Sequence, residues 1–372
     1  MNGGHQLTRI IDADGHVMEQ RGARGLSTYM PNGSRTGNVF PALDHLHGYH
    51  LRPVGPPTED GESGEISRVI DRKVWLEFLE ETGIEWSVLY PTSGLAMGRI
   101  VSEDWAVAAC RAYNNWLYDQ FTDGTSQLKG MALIPVQDPS EAAIELRRAV
   151  TELGFVGAML PSNGEGIKAH YGSKIYWPLF EEAQRLNCAL AVHGGSHHNF
   201  GGIDTYSVYY PVNALGHPFG IMIQAAGMVS HGTFERFPGL RVAYLEGGSS
   251  WVPFFMDRMD RAYGQSHYEV DLDGQHILGP NPDIKPSDYI KQKIESGNIY
   301  IGFDVDDEGL GDAVGRAGNK PFLYATDFPH ESHDAELCIH ESSELLARED
   351  LSPADKQAIV ADNAERFYGV KK

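Results

Sequence analysis

Cysteine is scarce. Cys110, Cys188 and Cys338 stand far apart, and none belongs to a Cys-x-x-Cys pair. That argues against a disulfide framework and against a cysteine-held zinc. Long apolar runs are missing too: no stretch of about eighteen apolar residues occurs, so no transmembrane helix is expected. The first residues, Met1 to Arg9, are polar and lack the apolar core of a signal peptide. Basic residues are few, 30 Lys and Arg against 51 Asp and Glu, for a formal net charge of −21. A surface of that sign repels phosphate backbones and anionic membranes, so neither nucleic acid nor membrane is an expected partner. The expectation is a protein of a reducing cytoplasm that meets a small-molecule substrate.

The length of 372 residues suits one large barrel, read as a single domain over residues 1–372. Eight short apolar runs recur along it: Arg9–Ala13, Trp86–Tyr90, Gly130–Ile134, Val156–Leu160, Ala189–Val192, Arg241–Leu245, Ile299–Phe303 and Phe322–Ala325. They are aliphatic or β-branched and apolar on both faces, the pattern of parallel strands buried on both sides. Helical patterns separate most of them: Asp104–Phe121, Ser140–Leu153 with Ser140 as N-cap, Trp177–Leu186 and His217–Val229. Eight βα units argue for a (β/α)8 TIM barrel over an open sheet. Two insertions interrupt the rhythm, residues 18–70 after strand one and 194–216 after strand five, and both read as lid-like excursions over the mouth. Residues 264–298 form a third irregular stretch. Ser352–Tyr368 reads as a closing helix with Pro353 in its first turn.

Barrel enzymes carry their chemistry at the C-terminal ends of the strands. Strand one offers Asp12, Asp14 and His16 there, strand five His193, strand six Glu246, strand seven Asp304, and strand eight Asp327 with His330 three residues on. Asp14 and His16 are two apart, so on an extended backbone both point the same way. They make half of a metal site, which His193 and Asp327 complete. Two imidazoles and two carboxylates suit zinc, manganese or iron(II), with zinc the expected ion. Asp12 reads as an anchor of strand one, and Asp304 as a structural residue with a supporting role at the site as the alternative. His45, His47 and His50 read as lid or surface, and His197 and His198 as surface residues with contact to substrate as the alternative. Trp251 and the tyrosines Tyr206, Tyr209 and Tyr210 either line a pocket for a cyclic substrate or simply pack. Arg68 and Arg99 are the basic residues that could grip a carboxylate.

The segments IIDADGHVMEQ (10–20), LAVHGG (190–195), GTFERFPGLRVAYLEGGSSWVP (232–253), YATDFPHE (324–331) and DNAERFYG (362–369) span nearly the whole chain. On them the chain resembles the amidohydrolase superfamily, in the branch related to aminocarboxymuconate-semialdehyde decarboxylase. The resemblance implies a distorted (β/α)8 barrel with one divalent metal held by Asp14, His16, His193 and Asp327, and it allows a homodimer. It also shows a departure, for Glu246 stands where many relatives carry a strand-six histidine. An imidazole there would have to come from His217 or His330.

The leading expectation is therefore a metal-dependent hydrolase acting on a small cyclic or carboxylated substrate. Asp327 would accept the proton of a metal-activated water, and Glu246, His217 or His330 would serve as further catalytic groups. The alternative is a non-oxidative decarboxylase of an aromatic or unsaturated acid. A metal-free binding barrel is the third class.

Overall fold

The computed structural model describes residues 9–19, 25–31, 38–46, 69–198, 200–266, 283–330 and 334–370. Eight strands form one parallel sheet in sequence order: β1 (Asp12–Val17), β2 (Ser87–Pro91), β3 (Leu128–Leu133), β4 (Gly157–Pro161), β5 (Ala189–His193), β6 (Arg241–Leu245), β7 (Ile299–Phe303) and β8 (Phe322–Tyr324). Between and after them run α1 (Arg72–Thr82), α2 (Glu103–Leu117), α3 (Pro139–Glu152), α4 (Trp177–Leu186), α5 (Tyr210–Ser230), α6 (Thr233–Arg236), α7 (Trp251–Ser266), α8 (Pro286–Glu295), α9 (Leu310–Ala317), α10 (Ala335–Ala347), α11 (Pro353–Gln357) and α12 (Asn363–Tyr368). This is the expected (β/α)8 barrel. Strand residues are buried almost without exception, since helices cover the outer face and side chains fill the inside. No described helix is long and apolar enough to cross a membrane.

The barrel closes through the chain just beyond β8. The Asp327 N–H donates to the Asp14 carbonyl at 3.0 Å, and the His16 N–H to the Phe328 carbonyl at 2.7 Å. Asp12 completes the seam: its carboxylate accepts from the Thr326 N–H at 2.9 Å and from the Ser87 hydroxyl. The expected anchor is thus an anchor, and burial pushes its carboxyl up to about 6 against those hydrogen bonds. Asp14 and Asp327, far apart in sequence, become neighbours by main-chain pairing.

Several expected boundaries move. Strand one was expected at Arg9–Ala13, but β1 runs through Asp14 and His16, because its polar residues face the interior. The N-cap of α3 is Asp138, not Ser140: its side chain accepts from the Ser140 and Glu141 N–H groups, and Pro139 takes the first helical position. The excursion after strand five is shorter than expected, because α5 begins at Tyr210, with Pro211 in its first turn and Pro218 inside the helix. The stretch 264–298 contains α8, and residues 267–282 lie outside the described ones. The closing helix is α11 and α12 joined by a π turn over Ala358–Asp362. Ser352 caps it in a reciprocal pair with Asp355.

Of the insertion after β1, residues 38–46 lie as a strap across neighbouring elements. The Val39 carbonyl accepts from the Trp105 indole at 3.0 Å, the Leu43 carbonyl from the His197 N–H at 3.2 Å, and the Ala42 carbonyl from the Arg99 guanidinium.

Gly15, between Asp14 and His16, has no room for a side chain. A Cβ there would sit 2.4 Å from the Trp75 ring, 2.7 Å from Asp12 and 2.8 Å from Ser87. Trp75 is fully buried, and its indole N–H donates to the His16 carbonyl at 3.2 Å. Gly15→Ala should therefore destabilise the fold by about 2 kcal/mol, read as a lowered denaturant midpoint. An unchanged midpoint would mean that the Trp75 wall yields freely.

Candidate metal centre

His16 is the hub. Its ring is fully buried, and Nδ1 bonds the Pro91 carbonyl at 2.8 Å, so Nδ1 carries the proton and Nε2 presents its lone pair inward. Around Nε2 stand Asp327 Oδ1 at 3.2 Å, Asp14 Oδ1 at 3.5 Å and Glu246 Oε1 at 3.5 Å. His193 repeats the design from β5. Its Nδ1 bonds the Gly194 carbonyl at 2.8 Å, leaving Nε2 3.3 Å from Asp14 Oδ2. The strand register explains why Glu246 joins them, since His193 pairs with Leu245 across β5 and β6.

Two donor groups emerge, Asp14–His16–His193 and His16–Glu246–Asp327–His330, each with its ligand atoms within 4.8 Å of one another. All four residues expected to bind metal are thus brought together, although Asp327 falls in the second group. The residues expected to be catalytic are here too. His330 Nδ1 lies 3.0 Å from Asp327 Oδ1, and its ring stacks on that of His16 with centroids 4.0 Å apart. His217, in α5, places Nδ1 3.9 Å from Glu246 Oε2. Its ring closes so tightly on β5's end that a Cβ on Gly194 would lie 2.9 Å from it.

Backbone conformation marks the same residues. Three described non-glycine residues have positive φ: Asn187 at 51°, Glu246 at 60° and Asp327 at 53°. Asn187 is an ordinary left-handed helix cap. Glu246 and Asp327 end their strand segments in a conformation that costs energy, and such strain collects at functional sites.

The donors fit a divalent cation. His16 Nε2, Glu246 Oε2 and Asp327 Oδ1 are buried and have no hydrogen-bond partner. Neighbouring donors held about 2.0–2.2 Å from one ion lie roughly 3 Å apart, close to the contacts seen. Electrostatics agree. Burial pushes His16 down, but Asp327, Glu246 and Asp14 outweigh it and hold the imidazole well above its ordinary value. Burial likewise opposes the charge on Asp327, yet His330 and His16 hold its carboxyl well below the usual range. A bound cation would satisfy the carboxylates and leave the imidazoles neutral, the state that ligates.

Other sequence candidates fall elsewhere. Arg99 pairs with Glu165 at 3.3 Å, away from the cluster. Tyr210 is 77% exposed, while Tyr209 sits edge-on to His197 with ring centroids 6.1 Å apart. His197, expected at the surface, is buried, because α5 packs on its ring: the ring lies 4.7 Å from that of His217, and a Cβ on Gly216 would meet it at 2.2 Å. His45 and His198 both face Asp204, at 3.9 and 3.7 Å. His47, His50 and Arg68 lie outside the described residues.

Sequence reading missed the groups that support the ligands. Tyr368, inside the DNAERFYG segment, donates its hydroxyl to the Ala13 carbonyl at 2.6 Å and meets the Tyr90 hydroxyl at 2.8 Å. The segment itself was the available signal, but its target one barrel wall away was not. Thr92 left no signal at all. Its hydroxyl bonds His330 Nε2 at 2.7 Å, which fixes the ring that faces Asp327. Thr92→Val should lower kcat/KM about tenfold, while Thr92→Ser, which keeps the hydroxyl, should stay near wild type. Equal rates for both variants would remove Thr92 from the site.

Fold and cluster together define a (β/α)8 barrel whose mouth gathers donors suited to a divalent metal. A family model described as Amidohydrolase matches residues 91–370. The chain belongs to the amidohydrolase family. It is 26% identical over 315 residues to a gamma-resorcylate decarboxylase of Polaromonas sp., covering 81% of this chain and 88% of that one. It is 25% identical over 313 residues to the 2-amino-3-carboxymuconate-6-semialdehyde decarboxylase of Dictyostelium discoideum, covering 82% and 80%. Among solved structures, a dihydroxybenzoic acid decarboxylase from Polaromonas sp. with bound manganese and the inhibitor 2-nitroresorcinol superposes with a TM-score of 0.68. It is 22% identical, and the match covers 98% of this chain and 97% of that one.

These relatives correct the expectation of a hydrolase, for their named reactions are decarboxylations. Glu246, standing where many relatives carry a histidine, is the residue behind the hydrolase expectation; in the folded chain its Oε1 faces His16 Nε2 and its Oε2 lies beside His193 Nδ1.

Proposed function

We propose that this enzyme is a metal-dependent, non-oxidative decarboxylase of an aromatic or unsaturated carboxylic acid. The observation that carries the reading is the kinship, over four fifths of the chain, with decarboxylases of gamma-resorcylate and of an aminocarboxymuconate semialdehyde. Asp14, His16, His193 and Asp327 would hold the ion, with zinc, manganese and iron(II) all compatible with those four. The bound ion supplies a Lewis acid that draws charge from substrate oxygens.

The remaining work falls to side chains. His217 holds a proton at a ring nitrogen and delivers it to the carbon that bears the carboxylate. Burial lowers its imidazole below the ordinary value, and Glu246 opposes the shift, so a proton placed there is readily given up. The carbon–carboxylate bond then breaks, its electron pair returns to the π system, and carbon dioxide leaves. Hydrogen has replaced the carboxyl group and no redox partner is required. His330, held by Thr92, orients Asp327. Trp251, buried at the start of α7 with its indole N–H unpartnered, offers a flat wall and one donor to a planar substrate.

The test is incubation of metal-loaded protein with gamma-resorcylate and a panel of carboxylated phenols and dienoic acids in D2O. Carbon dioxide should appear with one deuterium on the vacated carbon per turnover. Saturated metal with no carbon dioxide from any member of the panel would sink the reading.

A further inference from the structure

We infer that Glu246 is a fifth protein ligand of the metal, and that this third carboxylate biases the centre toward a hard, six-coordinate ion such as Mn2+ and away from Zn2+. The inference rests on the single-metal reading above and adds a ligand to it.

The argument starts at His16 Nε2, which belongs to both donor groups. An imidazole nitrogen has one lone pair, and Nδ1 is already committed to Pro91, so the two groups serve one ion. The second group then offers three further donors. His330 stacks on the face of the His16 ring at 27° between planes, whereas the His16 lone pair lies in the ring plane. Its Nε2 is taken by Thr92. His330 therefore supports Asp327 and is not itself aimed at the ion. Asp327 and Glu246 remain, and Glu246 Oε1 stands 3.5 Å from the hub, the same distance as Asp14 Oδ1.

Oε1 of Glu246 is turned toward His16 Nε2 in the cluster, while Oε2 lies outside it, 3.4 Å from His193 Nδ1 and 3.9 Å from His217 Nδ1. The left-handed backbone at 60° is the device that points this side chain inward, and Asp327 uses the same device at 53°. Two imidazoles and three carboxylates make an oxygen-rich set of five. Four-coordinate sites of nitrogen and sulfur are zinc's preference, while oxygen-rich, higher-coordinate sites suit manganese. One position is left for a substrate oxygen.

The experiment uses the full chain, stripped by chelation, with Mn2+ and Zn2+ titrated calorimetrically and in competition. Glu246→Gln keeps the size and removes the charge. It should weaken Mn2+ at least tenfold and Zn2+ less than threefold, and the rise in Tm on adding Mn2+ should shrink accordingly. Mn2+ affinity within twofold of wild type would overturn the inference while leaving the single-metal reading intact. A wild-type protein that binds neither ion would overturn that reading itself. Crystals of the wild type soaked in Mn2+ test the same point without a variant. A Glu246 oxygen within about 2.4 Å of the ion supports the assignment, and one beyond about 3 Å overturns it.

Discussion

Replacing His193 with alanine is expected to strip the protein of its metal and bring turnover to background. The ring is fully buried at the end of β5, edge-on to His16 with centroids 5.2 Å apart and tilted against Tyr90 at 5.2 Å. Its orientation is locked by the bond from Nδ1 to the Gly194 carbonyl. Alanine removes a donor that no other described imidazole of the cluster replaces, because His16 already presents its one free nitrogen there and His330 is held by Thr92. Altering even the supporting partners of a metal ligand costs about 10–100-fold in affinity, so losing a ligand should cost at least the upper figure. Metal content by mass spectrometry and carbon dioxide release check the two halves. Full metal with normal turnover would show that the site is misassigned.

His217→Gln should separate chemistry from metal binding. The side chain lies beside the cluster, packed on Gly194, with Nδ1 3.9 Å from Glu246. Loss of a general acid lowers rates by about 10²–10⁴, and the loss should fall on kcat with KM little changed. Metal content should stay at the wild-type level, unlike that of the His193 variant. A His217→Gln protein with wild-type kcat would move the proton to another group, with the Asp327–His330 pair the next to test.

The barrel was readable because buried parallel strands demand side chains that are apolar on both faces, and the runs at Arg241–Leu245 and Ile299–Phe303 mark two strands to the residue. The same rule misplaced β1. Asp12, Asp14 and His16 break an apolar run, yet they are strand residues whose polar groups face the seam and the cluster. The start of α5 was hidden because Pro211, Gly216 and Pro218 read as breakers. Pro211 is tolerated in the first turn, where its missing N–H would have no helical partner.

The candidate ligands were legible in part for a chemical reason: Asp, His and Glu at strand ends are rare unless something there requires them. Their roles were not legible. Whether Glu246 faces a substrate or an ion depends on a backbone angle of 60° and on the register of β6 against β5. His197 is buried because α5, which begins at Tyr210, packs its Gly216 and His217 against the ring. Thr92 acts through a histidine on another strand end. Local pattern reports what a residue can do and how its own segment repeats. Which lone pair meets which carboxylate is a matter of a few tenths of an ångström between segments far apart in the chain, and only closure of the barrel sets those distances.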